Sequence, residues 1–183
     1  RRSLLPGALA LLPAPHLRTS VRGATARELR WQTSPFSLGI ASGDPTPTGV
    51  VLWTRLAPDP LNGGGMPAAR VDVDWSVAED ESMTRIVRRG RVSAQPESAH
   101  AVHVEVNGLS PDRVYWYRFR AGNDQSTIGR TRTLPRPGTA VDQLRFGFCS
   151  CQHYETGYFT ALRHLAGEDL DLVFHLGDYI YEG

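Results

Sequence analysis

A chain of 183 residues with a formal net charge of +1 has room for one or two domains and lacks the basic excess that nucleic-acid binding demands. Its 13 Pro and 18 Gly suit a loop-rich β protein better than a helical bundle. The two cysteines, Cys149 and Cys151, lie too close together for an ordinary disulfide framework and read as thiols or metal ligands.

Arg1-Arg2-Ser3-Leu4-Leu5 opens an apolar run from Leu4 to Ala14, broken by Pro6 and Pro13. Such a run, about eleven residues, is too short to span a bilayer but suits the apolar region of a signal peptide. Ala24-Thr25-Ala26 supplies a small-residue cleavage site. Twin arginine before Ser-Leu-Leu resembles a Tat export signal, the other reading being an unstructured basic tail. Residues 1–26 are therefore expected to be a signal remnant, recognised by the Tat translocase of a bacterium. The mature chain, with no transmembrane segment, would be secreted to the periplasm or the exterior. Residues 27–35 form a polar lead-in.

From 36 to 135 short strands alternate with turns. Ser37 to Gly43 reads as a strand, Asp44 to Gly49 as a turn cluster, and Val50 to Arg55 as a second strand. Asn62 to Gly65 is a loop tip. Val71, Val73, Trp75 and Val77 alternate with polar residues, and so do Val102, Val104 and Val106, each set marking one buried face. Leu109 precedes Tyr115 across a Gly108-to-Arg113 turn, in the manner of fibronectin-III-like sandwiches that anchor a Tyr at that corner. Roughly six or seven strands at this spacing predict an all-β, fibronectin-III-like or Ig-like sandwich. Trp53, Trp75 and Trp116 read as its core, and Asp44 as a residue that fixes a turn through backbone amides.

Residues 136–141 are a linker, and the pattern changes over 142–183. Leu144 to Cys149 reads as a strand, and Tyr158, Leu162 and Leu165 fall on one helical face beside Phe159 and Ala166. Leu170 to Leu176 forms the next strand. Strand, helix and strand predict a βαβ unit with parallel strands. Parallel neighbours bring their carboxyl ends together, so Cys151 and Asp178 should meet, with Tyr181 in reach. Thiolate, carboxylate and phenolate form an unusual donor set: zinc favours Cys and His, calcium favours oxygen, and a phenolate calls for a strongly acidic cation such as ferric iron. A carboxylate can also bridge two metals, the arrangement that clamps phosphate esters.

Cys151 and Asp178 could instead be a small buried hydrophobe and a helix cap, but their facing strand ends favour ligands. Tyr181 is a ligand or an ordinary packing Tyr. Cys149 reads as a core thiol and His175 as a satisfied buried histidine. His153, after the Cys loop, can face substrate.

Ser42-Gly43-Asp44-Pro45-Thr46, with Val51-Leu52-Trp53-Thr54-Arg55-Leu56-Ala57-Pro58, resembles the opening of the alkaline phosphatase D (PhoD-like) family. Ser150-Cys151-Gln152, Gly157-Tyr158-Phe159 and His175 to Glu182 are similar to the start of that family's catalytic domain. The resemblance implies a sandwich preceding an αββα metallophosphatase domain, of which 142–183 is only the start. It implies hydrolysis of phosphate mono- or diesters by a metal-bound hydroxide, with one Fe3+ and two Ca2+. Cys151 and Tyr181 would bind iron, and Asp178 would bridge iron and calcium. Cys149 departs from the family, in which a smaller residue is usual. The family's downstream ligands have no counterpart in these 183 residues, so the chain alone is expected to be inactive. The competing expectation is a non-catalytic exported sandwich that binds a wall polymer or a protein; a metallophosphatase with another metal pair is a third. N-terminal sequencing of exported protein should begin near Arg27; a start elsewhere contradicts the signal assignment.

Overall fold

The computed structural model describes residues 30–153, 156–179 and 181. The expected signal, its cleavage site and Arg27 lie outside the described residues, as does Glu182. Strands β1 (Ile40–Thr46), β2 (Gly49–Arg55) and β5 (Ala101–Asn107) form an antiparallel sheet in the order β1-β2-β5. The second sheet runs β4 (Ile86–Ala94), β3 (Val71–Ala78), β6 (Val114–Ala121), with β7 (Asp124–Gln125) and β8 (Gly129–Arg132) both paired to β6.

Period-two alternation builds the core between these sheets. Leu52 and Thr54 on β2, Val102, Val104 and Val106 on β5, Val71, Val73 and Val77 on β3, and Tyr115, Tyr117 and Phe119 on β6 are all buried. Trp75 packs partly buried against that core, over Gly90, where a Cβ would lie only 2.7 Å from the indole. Trp53 and Trp116 are not core. Each alternates with inward-facing neighbours, so its ring falls on the outer face and is only half-buried.

Three other expectations are corrected. Residues 36–39 form a turn, closed by Gly39 N donating to Phe36 O at 2.9 Å, and the strand begins at Ile40. Asp44 and Pro45 belong to that strand, not to a turn. They sit at a bulge with Asp44 at φ +44°, which an edge strand tolerates. Among the described residues the Asp44 carboxylate fixes no amide; the Thr46 hydroxyl accepts from Thr48 N instead, at 3.3 Å. The sandwich also gains β4, whose arginines hide the alternation, as suits an edge strand.

The corner after β5 is held as the Tyr spacing predicts. Leu109 and Tyr115 are buried, and the Tyr115 hydroxyl accepts from Ser110 N at 2.9 Å. Thr133 reinforces it, accepting from Arg113 N at 3.1 Å and donating to Ser110 O at 2.7 Å.

Beyond the sandwich, β9 (Phe146–Cys149), α1 (Thr160–Leu165) and β10 (Leu172–His175) form the βαβ unit, with β9 and β10 parallel. Leu165 packs where Gly147 leaves room: a Cβ there would lie 2.6 Å from Leu165 Cδ1. Tyr158 precedes the helix and is 94% exposed, so it does not share the apolar face. Arg132 of β8 ties the two parts together, pairing with Asp112 at 2.7 Å and with Asp171 at the foot of β10. Asp171 also accepts from Arg145 N at 3.0 Å, which links it to the approach to β9.

Replacing Tyr115 with Phe removes the acceptor of the part-buried Ser110 N–H. Chemical denaturation should show a loss of about 1 to 2 kcal/mol with an unchanged m-value.

Candidate metal centre

The register Leu172↔Phe146 through His175↔Cys149 carries both strands to the same level. Backbone bonds extend the pairing past the strand ends. Leu176 N donates to Cys149 O at 2.8 Å, Cys151 N to Gly177 O at 3.1 Å, and Gln152 N to Asp178 O at 3.2 Å. Two non-glycine residues in this zipped loop pair adopt left-handed backbone, Cys151 at φ +56° and Asp178 at φ +51°. Such conformations cost on the order of 1 to 3 kcal/mol each and concentrate at functional sites.

These turns bring together the side chains singled out from sequence. The Asp178 Oδ2 atom accepts from Cys151 Sγ at 3.3 Å and from the Tyr181 hydroxyl at 3.1 Å. No described residue forms an ion pair with Asp178, so three acidic groups converge without a cationic side chain to offset them. His153 joins the cluster by stacking on Tyr181, with ring centroids 5.6 Å apart and planes 26° apart. Its Nδ1 bonds Thr156 Oγ1 at 3.1 Å. Cys149 is half-buried, its sulfur 4.0 Å from Phe174 O, and is not in the donor set.

Models of known families match both parts of this arrangement. The PhoD-like phosphatase N-terminal domain matches residues 22–135, and the PhoD-like phosphatase model matches residues 146–183. The chain belongs to the PhoD-like phosphatase family. Alkaline phosphatase D of Bacillus subtilis (strain 168) is 62% identical over 148 residues, which are 81% of this chain and 25% of that protein. A solved structure of PhoD aligns at 60% identity with a TM-score of 0.82, covering 84% of this chain and 30% of that one. The PhoD-like chain thus spans about a quarter of the length of the first relative and under a third of the second.

The PhoD-like chain offers one sulfur and two oxygen donors here, a mixed set that fits a strongly acidic cation of borderline softness better than a purely hard one. Among the described residues no three His, Cys, Asp or Glu side chains converge, so the third donor is a phenol. Its hydrogen bond with Cys151, then loss of solvation, then Asp178, push the Tyr181 phenol up to about 12. With no described cationic side chain paired to Asp178, the Tyr181 phenol holds its proton; a bound cation would favour its release.

His175 was expected to be a satisfied buried histidine, and only half of that holds. Its Nδ1 accepts from Gly177 N at 3.4 Å, while Nε2 is buried with no partner among the described residues. The His153–Tyr181 stack was not foreseen, because sequence does not show where a loop side chain turns. Changing Cys151 to Ala together with Asp178 to Asn should bring the Tyr181 phenol down toward 10 in the metal-free chain. An NMR titration of 13C-labelled tyrosine reads this, and a value that stays near 12 contradicts the assigned cause.

Proposed function

We propose that the chain is part of a secreted, metal-dependent phosphoesterase of the alkaline phosphatase D kind, in which Cys151, Asp178 and Tyr181 hold metal. The observation that carries this reading is the convergence of thiol, carboxylate and phenol at the carboxyl ends of β9 and β10. Family membership supports phosphate esters, mono- or diesters, as the substrate class. In this reading Cys151 and Tyr181 would hold Fe3+, and Asp178 would contribute to both the iron site and a site for one of two Ca2+ ions. Bound metal of this kind supplies positive charge for the phosphoryl oxygens and acidifies water.

The chain's own contribution is positional. The left-handed turns at Cys151 and Asp178 fix two donors against each other, and His153 restrains the Tyr181 ring by stacking. Thr156 in turn fixes the imidazole. Three donors on one side leave much of a metal shell open, so we expect the 183 residues alone to show no turnover. The twin-arginine start and the Ala24-Thr25-Ala26 site support export by the Tat route, which delivers proteins already folded around metal.

Adding Fe3+ to the chain should produce a visible phenolate-to-iron absorption band that Tyr181→Phe abolishes. Its absence would favour another metal pair. In the complete gene product, Asp178→Asn should lower kcat/KM for a phosphate ester by more than about a hundredfold, beyond the usual cost of losing a residue that merely supports a ligand. Near-normal turnover by that variant would overturn the ligand assignment.

A further inference from the structure

Arginines that lie on separate segments of the sequence meet on the outer face of the five-stranded sheet. Cross-strand pairing sets Arg91 and Arg120 on either side of Asp74. One row along, it sets Arg89 and Arg118 on either side of Ser76. The first row is internally satisfied. Asp74 accepts from Arg91 Nε at 2.7 Å and from Arg120 Nη2 at 2.9 Å, while Asp72 stands 3.9 Å from Arg91 at the rim. The Arg91 hydrogen bond, foremost among its contacts, holds the Asp74 carboxyl below the usual carboxylate range.

The second row is not satisfied. Among the described residues Arg89 and Arg118 have no ion-pair partner, and the Ser76 hydroxyl has no hydrogen-bond partner. Residues of both rows line one groove of about 520 Å³, together with Trp75, Gly90 and Phe119. Four guanidinium groups line it against the single carboxylate of Asp74. Because β4 and β6 flank β3, the backbones bearing Arg89 and Arg118 are about 10 Å apart, within reach of each other's guanidinium over Ser76. Guanidinium forks borne on either side of a hydroxyl suit the recognition of a tetrahedral oxyanion.

We propose that Arg89, Arg118 and Ser76 form a binding site for a phosphate-class oxyanion on the sandwich. The site is separate from the Cys151 cluster and does not rest on its metal assignment. Its ligand is free phosphate or the phosphate group of a small monoester; both present the same dianion to the fork.

The test is titration of the metal-free 183-residue chain, followed by backbone amide NMR at constant ionic strength. Inorganic phosphate and glycerol phosphate are the two probes, and chloride is the control. We expect saturable shifts at Ser76, Arg89 and Arg118 with at least one phosphate probe and none with chloride. The Arg89→Ala/Arg118→Ala double variant should bind at least about tenfold more weakly. The corresponding double Lys variant, which keeps charge but not the fork, should fall between. Both arginines face outward, so the variants should melt as the parent does. Shifts reproduced by chloride, unchanged binding by the double Ala variant, or shifts confined to the Cys151–Asp178 region would each overturn the proposal. The tighter probe identifies the source of the phosphate.

Discussion

The parallel pairing of β9 and β10 is the constraint on which the candidate site depends. Cys151 and Asp178 are carried to one point because the register of the two short strands continues through three backbone bonds beyond them. A slip of one residue in that register would turn the side chains over and separate the donors. Leu165 against Gly147 keeps the crossover helix seated on the pair. The glycine matters for closeness of approach, since a side chain there would push the helix off the sheet.

Local chemistry follows from that pairing. The left-handed residues at both loop starts redirect the chain sharply, and each is a conformation that an isolated peptide would avoid. Their coincidence with the thiol and the carboxylate is what distinguishes the cluster from a chance gathering of polar groups at a strand end. The phenol completes it from outside the strands, held by a hydrogen bond and by an imidazole face.

The sandwich was legible in the sequence where one face of a strand is buried and the other is wet. Val71, Val73 and Val77, and Val102 through Val106, announce themselves by alternation. The Tyr115 corner is visible because a buried hydroxyl must find a backbone partner nearby. β4 was hidden because its arginines obscure the pattern, and Asp44-Pro45 misled because a bulged edge strand admits turn-forming residues. The tryptophans show a further limit: size and hydrophobicity favoured the core, yet position within the alternation placed Trp53 and Trp116 outside. At the site, the meeting of Cys151, Asp178 and Tyr181 follows from topology alone. The stacking of His153 and the His175 nitrogen that finds no partner among the described residues depend on side-chain rotamers, which carry no sequence period.

The Arg132–Asp171 contact makes the sandwich a foundation for the neighbouring strand. Asp171 stands at the base of β10 and Asp178 just past its tip, a stiff arm of about 23 Å if fully extended. A small tilt at its base swings the tip by a distance comparable to a coordination bond. Lesions in the sandwich can therefore displace Asp178 from Cys151 without unfolding either part. The geometry of the loop pair is in that sense set by a charge pair some seven residues before Asp178, whose arginine stands on a different sheet.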